Sequence, residues 1–273
     1  MIRDITFGQY YPSGSLLHLL DPRVKLFGTM IFLVSIFSFR GIVGFALVTC
    51  FLTVIIKLSK VPFSFMVRGL RAIAVLIIIT AFFQIFLTVS PNIIWEWKFL
   101  HISQEGIASA IKMTIRLTYL VIGSSIMTLT TTPKELTDGL EKAFQPLERL
   151  HVPVNDAAMM MSIALRFIPI LSEETDKIMK AQMARGADFE NRNLIKKAKA
   201  MIPLLVPLFV SAFRRANELA VAMESRCFRS GEGRTKMKPL KYEKRDYIGY
   251  LVLLVFLAAV FLLRTDEEFY GIV

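Results

Sequence analysis

The sequence has 273 residues, of which 54% are hydrophobic, with a mean hydropathy of +0.53 and a formal net charge of +11. This apolar share exceeds that of an ordinary soluble domain and indicates a protein that lies largely in lipid. The positive charge does not indicate nucleic-acid binding, because membrane proteins collect Lys and Arg in their cytoplasmic loops.

Five apolar segments are predicted to cross the membrane, since each approaches the roughly 20 residues that a spanning helix needs. In chain order they are 24–39, 41–56, 72–89, 107–130 and 247–263. The segment 201–213 is also apolar, but it contains Pro203 and Pro207, which bend or break helices. We expect this segment to form the buried or membrane-grazing start of a cytoplasmic helix.

The positions of Lys and Arg predict the orientation of the spans. The 57–71 connection contains four basic residues and no acidic one, so it is expected in the cytoplasm. The 90–106 loop carries one Lys against two Glu, with Trp95 and Trp97 suited to a membrane interface. Alternation then places the N-terminus inside and the acidic tail outside. The predicted parts are a four-span membrane region, 1–131, a cytoplasmic region, 132–246, and a last span with a short external tail, 247–273.

Three helices are predicted in the cytoplasmic region. The first, in TTPKELTDGLEKAF, opens with a capping box in which Thr132 caps the helix and Glu135 reaches back. The other two carry apolar stripes at alternating steps of four and three, which keep one seam facing a neighbouring helix. The stripe residues are Ala157, Met161, Ala164, Ile168, Leu171 and Ile178 on one helix, and Ile202, Leu205, Phe209, Ala212, Ala216, Leu219 and Met223 on the other.

Each stripe ends at an arginine between two small residues. The triplets are Ala184, Arg185, Gly186 and Ser225, Arg226, Cys227. An arginine at the end of an apolar seam must face water, lipid phosphate or an acidic partner, because an unpaired buried charge is too costly. Spacing leaves two simpler interpretations open. The stripes can bury each other as antiparallel helices, and the helix dipole by itself favours arginine at a C-terminus.

The sequence contains no group of residues typical of catalysis. It has no GxxxxGK[ST] stretch for ATP, no paired acid and base at membrane depth, and no Cys or His spacing for a metal. We therefore expect a non-enzyme with no catalytic residue, no metal site and no cofactor of its own. Lys112 and Arg116 lie four apart within a predicted span, and Arg116 is expected to pair with protein or reach water.

With these motifs in view, the sequence resembles the transmembrane coupling subunit of energy-coupling factor (ECF) transporters, the EcfT family that includes the cobalt permease CbiQ. The likeness covers most of the chain and is most specific in PKELTDGLEKAF (133–144), LRFIPIL (165–171) and AQMARGADF (181–189), with LDPRVKL (20–26) in addition. The expected fold is an all-α, multi-pass protein of a prokaryotic cell membrane, with about five transmembrane helices and long amphipathic coupling helices in a cytoplasmic insert.

The resemblance also implies partners. In that family, two small-Arg-small motifs dock into grooves on two cytoplasmic ABC-type ATPases, which bind ATP and Mg and hydrolyse the ATP. The two arginine triplets are matched to those motifs, although Ser and Cys replace Ala and Gly in the second. A small membrane subunit, the S component, binds a vitamin or metal ion in that family, and the two stripes are expected to contact it. No nucleic-acid partner is expected.

One alternative is a self-sufficient membrane transporter that binds its own substrate. Such a protein would gather polar or charged side chains at the midplane of several spans. Apart from Gln84 and Arg116, the predicted spans offer little of that kind.

Overall fold

The computed structural model describes residues 10–39, 41–88, 93–97, 100–189, 193–228, 237 and 239–269. Within these residues there are eight α-helices: α1 (Pro22–Ile36), α2 (Ile42–Ser59), α3 (Phe63–Leu87), α4 (Gln104–Thr130), α5 (Pro133–Phe144), α6 (Val154–Ala184), α7 (Leu194–Glu224) and α8 (Lys244–Phe269). The predicted helical fold is confirmed. A 3-10 helix, Gln145–Leu150, follows α5. In the predicted 90–106 loop, β1 (Ile93–Trp97) pairs antiparallel with β2 (Leu100–Ser103), which the sequence analysis did not predict.

Five helices of the described part are long and apolar enough to cross a membrane. Four of them, α2, α3, α4 and α8, overlap predicted spans. The fifth differs from the prediction. The helix in the predicted span 24–39 is α1, which has 15 residues and a length of about 22 Å, less than the ~30 Å of a hydrocarbon core. The fifth helix is instead α6, whose 31 residues are long and apolar enough to cross a membrane.

The chain divides into two compact units. One contains Gly8–Gly139 and Leu240–Val273, and therefore includes α1 to α4 and α8. The other contains Leu140–Pro239, and therefore includes α6 and α7.

Helices α1 and α4 of the first unit run antiparallel in a regular register. Three pairs of contacting residues lie seven positions apart on each helix, a spacing that keeps one face of each helix toward the other. The pairs are Lys25 with Thr130, Phe32 with Gly123, and Phe39 with Arg116. Since Arg116 lies near the middle of α4, the chain following α1 reaches only to the middle of its neighbour.

A basic side chain closes each end of this helix pair. Lys25 Nζ on α1 donates a hydrogen bond to the carbonyl of Thr130, the last residue of α4, at 3.0 Å. Arg116 Nη2 on α4 donates to the carbonyl of Phe39, just beyond α1, at 2.9 Å. The expectation that Arg116 pairs with protein is confirmed. Each cation thus lies at the carbonyl end of the opposite helix, where the helix dipole favours positive charge.

Aromatic rings fill the space between α1, α2 and α8. Phe51 of α2 stacks on Phe256 of α8 with ring centroids 4.0 Å apart, and Phe32 of α1 lies 6.1 Å and 6.3 Å from these two rings. The core continues through buried residues of α1 and α2 such as Ile36 and Val48. This packing helps to retain a helix too short to span, since it removes Val24, Phe32 and Ile36 of α1 from lipid and water.

The stretch LDPRVKL forms a polar junction at the start of α1. Asp21 caps the helix by accepting from the amide of Arg23, and it also pairs with the Arg23 guanidinium at 2.9 Å. The Asp21 amide in turn donates to Asp246 of α8 at 2.8 Å. The Arg23 guanidinium lies 3.8 Å from the ring centre of Tyr242. The junction therefore connects residues more than 200 positions apart.

The predicted capping box of α5 is confirmed. The Thr132 amide donates to Glu135 Oε2 at 3.0 Å, and the Glu135 amide donates to Thr132 Oγ1 at 3.2 Å. Within α5, a Cβ placed on Gly139 would lie 2.9 Å from Pro22. The start of α5 is therefore fixed both by its own cap and by close packing on the start of α1.

We predict that Gly123→Ala destabilises the first unit, because the added methyl group would lie 2.3 Å from a ring carbon of Phe32. Overpacking of this kind costs about 1–3 kcal/mol, which should lower the midpoint of thermal unfolding in detergent. Gly69→Ala is the matched control, since its methyl group would meet Ser125 Oγ at a more tolerable 3.1 Å. Equal midpoints for the two variants would contradict the tight α1–α4 contact.

Candidate functional site

The candidate site is formed by the long helices α6 and α7 of the second unit, each with 31 residues. Helix α7 begins at Leu194, where Asn193 Oδ1 accepts from the amide of Ile195 at 3.0 Å. The apolar segment 201–213 therefore lies inside α7. The prediction that this segment forms the start of the helix is wrong. Its prolines, Pro203 and Pro207, remain within continuous helix. The lysine-rich residues 194–200 before these prolines form the first turns of the same helix.

The end of α6 presents Arg185 in a defined turn. Arg185 is the first residue beyond the helix, and Gly186 follows it with a left-handed φ of +89°. The amide of Gly186 donates to the carbonyl of Met183 at 2.9 Å, and the amide of Ala187 donates to the carbonyl of Gln182 at 3.0 Å. These two bonds constitute a Schellman motif, which satisfies the last carbonyls of the helix with backbone groups alone.

The end of α7 repeats this geometry around Arg226. The amide of Cys227 donates to the carbonyl of Glu224 at 2.9 Å, and the amide of Phe228 donates to the carbonyl of Met223 at 3.0 Å. Cys227 takes the place of the glycine, with a left-handed φ of +56°. Both arginines therefore occupy the same position, immediately before the left-handed residue of a Schellman motif.

The side chains of Arg185 and Arg226 are exposed, as are both small neighbours of each arginine. Neither guanidinium forms an ion pair with any residue that the structure describes. Because backbone amides already bond two of the last carbonyls of each helix, these carbonyls do not depend on the guanidinium groups as donors. The helix dipole still favours positive charge at these ends, but it does not by itself account for two identical turns with small, exposed flanking residues.

An ion pair joins the two long helices. Arg215 Nη2 of α7 donates to Glu174 Oε2 of α6 at 3.1 Å, and both side chains are partly shielded from solvent. This pair was not predicted, because its two residues lie 41 positions apart and no local pattern connects them. Glu174 precedes Arg185 by eleven residues, and Arg215 precedes Arg226 by the same number. Each arginine end thus lies about 16 Å along its helix beyond the ion pair.

The two predicted stripes are only partly covered. In the later half of each stripe, all residues except Ala216 are half-buried: Ile168, Leu171, Ile178, Ala212, Leu219 and Met223. The earlier half is exposed on both helices: Ala157, Met161, Ala164, Ile202, Leu205 and Phe209. Exposure reaches 62% at Phe209 and 58% at Ile202. Mutual burial of the stripes, the simpler interpretation, therefore does not account for their earlier halves.

Comparison with known proteins decides the family. The family model described as cobalt transport protein, CbiQ, matches residues 13–237. The chain is 51% identical over 265 residues to the ECF transporter transmembrane protein EcfT of Clostridium kluyveri, covering 97% of this chain and 98% of that protein. It is 45% identical to EcfT of Bacillus subtilis over 97% of this chain and the whole of that protein. This chain belongs to the EcfT family. The predicted resemblance is confirmed.

Membership of the EcfT family makes this chain the transmembrane component of an ECF transporter, a multi-pass membrane protein. Relatives carry names of transporter subunits, not of enzymes. Among the described residues, no group of three or more His, Cys, Asp or Glu side chains is placed to bind a metal ion.

We predict that Cys227→Gly stabilises the last turn of α7, because a left-handed conformation costs a residue with a Cβ about 1 kcal/mol more than glycine. Hydrogen exchange of the Cys227 and Phe228 amides should slow by roughly fivefold. Ser225→Gly is the matched control: Ser225 has a helical φ of −63° and gains nothing from glycine. Equal exchange in wild type and Cys227→Gly would show that the turn is not the element that limits opening.

Proposed function

We propose that this chain couples two ABC-type ATPases in the cytoplasm to a separate S component in the membrane, so that ATP hydrolysis by the former drives uptake of a vitamin or metal ion through the latter. The observation that carries the proposal is the pair of identical helix ends with exposed Arg185 and Arg226. Two equivalent ends suit two equivalent partners. The region 132–246 then lies on the cytoplasmic side, in agreement with its basic character.

Arginine is suited to this docking role. Its planar guanidinium binds a carboxylate through two parallel hydrogen bonds and remains charged at any cellular pH. The small residues beside Arg185 and Arg226 leave the backbone free to approach a groove closely. We therefore propose that the six triplet residues enter acidic grooves, one on each ATPase: Ala184, Arg185, Gly186, Ser225, Arg226 and Cys227. ATP and Mg then belong to the partners and not to this chain.

The ion pair between Glu174 and Arg215 supports a mechanical role for α6 and α7. It connects the helices at points equally distant from the two arginine ends. A displacement of one end would be transmitted to the other helix through this contact, because the segments 174–185 and 215–226 contain no proline, the usual site of a sharp kink. ATP-driven movement of the docked ends would change how the two helices present their stripes.

The exposed halves of the stripes support contact with the S component. Apolar side chains such as Phe209 and Ile202 project from continuous helix and require an apolar cover. Met161, 53% exposed, adds a flexible side chain that suits a surface which must repack as a partner moves. The half-buried residues of each stripe would extend the same contact toward the arginine ends.

The alternative is a transporter that binds its own substrate. The charged side chain that would mark such a path, Arg116, instead donates to the carbonyl of Phe39 at the end of α1. Uptake by the purified chain alone, reconstituted in vesicles without ATPases or S component, would establish the alternative.

We predict that Arg185→Glu and Arg226→Glu each weaken ATPase binding by tenfold or more, because a charge-assisted bidentate contact contributes about 1.5–3 kcal/mol and the reversed charge repels an acidic groove. The measurement is recovery of the ATPases with the tagged chain after gentle extraction, together with uptake in cells. The double variant should recover neither ATPase.

Lys180→Glu is the matched control for this experiment, since it reverses an exposed charge near the end of the same helix α6. It should leave ATPase recovery close to the wild-type amount. Normal uptake by the double variant, present in the membrane at wild-type level, would refute the docking role of the two arginines.

We predict that Phe209→Asn reduces association with the S component by tenfold or more without loss of the ATPases, because an exposed aromatic side chain at an interface often contributes 2 kcal/mol or more. Val210→Asn is the matched control: Val210 is 64% exposed and adjacent in sequence, but it points about 100° away around the helix. Equal retention of the S component by both variants would exclude the stripe as its contact surface.

A further inference from the structure

Helix α3 lies close to α4 but is more exposed than the other membrane-length helices of the first unit. Of its 25 residues only Met66 is buried. Along one side of the helix an open groove of about 550 Å³ runs from Ser64 and Val67 past Arg68 and Arg71 to Ala74, Ile77 and Ile78, with Thr118 of α4 on its other side. The two basic side chains therefore lie near the start of the helix, and apolar side chains follow them toward its middle.

The basic end of this groove lacks internal charge compensation. Arg68 and Arg71 lie three residues apart, so both project from the same side of α3. Both are exposed, and neither forms an ion pair with any described residue. The surrounding stretch 57–71 adds two lysines and contains no Asp or Glu. An anion in this groove would therefore meet two arginines, and the stretch 57–71 around them contains no acidic residue.

The groove follows the first part of the apolar stretch of α3: its lining on this helix ends at Ile78, about 10 Å along the helix from Arg71. From Arg71 to Leu87 the helix rises about 24 Å, and residues 72–87 include no charged side chain. The side chains of Val75 and Ile78 are each 67% exposed. The arginines thus lie where a span of this length meets the lipid headgroups, with their charged ends able to reach the phosphates.

Close approach of α3 to α4 forms the wall of the groove. A Cβ on Gly69 would lie 3.1 Å from Ser125 Oγ of α4, so the two helices are in near contact at the basic end. Thr118 Oγ1 donates to the carbonyl of Thr114 within its own helix, which leaves the groove floor without a free hydroxyl donor at that residue. The ligand that matches this surface has one anionic head and an apolar tail.

We propose that this groove binds an anionic phospholipid, with its phosphate on Arg68 and Arg71 and an acyl chain along Ala74, Ile77 and Ile78. Guanidinium groups bind phosphate oxygens through paired hydrogen bonds. Basic pockets between membrane helices are a known kind of site for anionic headgroups. A zwitterionic lipid offers the same phosphate, but its ammonium group is repelled by the surplus positive charge. The site is independent of the proposed ATPase docking.

The test is native mass spectrometry of the intact transporter complex, titrated with phosphatidylglycerol and, separately, with phosphatidylcholine. Wild type should bind phosphatidylglycerol more tightly. The double variant Arg68→Gln with Arg71→Gln should reduce this preference roughly thirtyfold, because each basic residue near an anionic lipid contributes to its binding. Replacement of both arginines by lysine should retain part of it, because the charge remains but the paired hydrogen bonds do not.

Two further variants distinguish a specific lipid-binding site from general attraction of anionic lipid by surface charge. Lys112→Gln with Lys134→Gln removes the same amount of charge from exposed positions elsewhere in the unit and should change nothing. Ala74→Trp fills the apolar groove without altering charge and should reduce phosphatidylglycerol binding. The proposal is overturned if the arginine variant keeps the wild-type preference, or if Ala74→Trp binds the lipid as well as wild type. Cross-linking of the S component to position 75 in the intact complex would also overturn it, since protein would then cover this face.

Discussion

Much of the first unit depends on how two helix ends are satisfied away from water. A helix leaves its last carbonyls without partners within the helix, and in an apolar environment each unpaired carbonyl costs several kcal/mol. Lys25 of α1 donates to the end of α4, and Arg116 of α4 donates to the carbonyl that follows α1. This reciprocal arrangement explains how a helix of 15 residues can end beside the middle of a longer one. The heptad register and the contact between Phe32 and Gly123 lie between these two points.

The second unit satisfies its helix ends by a different route. In α6 and α7 the last carbonyls accept from backbone amides of the Schellman turns. No basic side chain is needed there, so Arg185 and Arg226 remain exposed beyond the helices. Arg116 therefore completes the fold of its unit, whereas Arg185 and Arg226 extend beyond helix ends that backbone amides already bond. This contrast distinguishes the arginines available to partners from those that are structural.

The basic side chains that give the net charge of +11 have several different roles. Lys25 and Arg116 donate hydrogen bonds to backbone carbonyls of the first unit. Arg23 forms an ion pair with Asp21, and Arg215 forms one with Glu174. Other basic side chains, including Arg68 and Arg71, are exposed at the end of an apolar helix. The number of Lys and Arg residues in the loops of a membrane protein therefore does not by itself show their roles, because membrane orientation, helix capping and ligand recognition all use these two residue types.

The sequence by itself determined the features that arise within a few turns of helix. Periodicity and apolar length predicted α2, α3, α4 and α8, the capping box predicted the start of α5, and the stripe spacing predicted that Arg185 and Arg226 follow the ends of long helices. The tertiary structure decided what depends on distant segments. It placed Arg116 of α4 on the carbonyl of Phe39 just beyond α1, a contact between residues 77 positions apart. It also paired Glu174 with Arg215 across 41 positions, a contact that no local pattern encodes, since each side chain alone is typical of a solvated helix face.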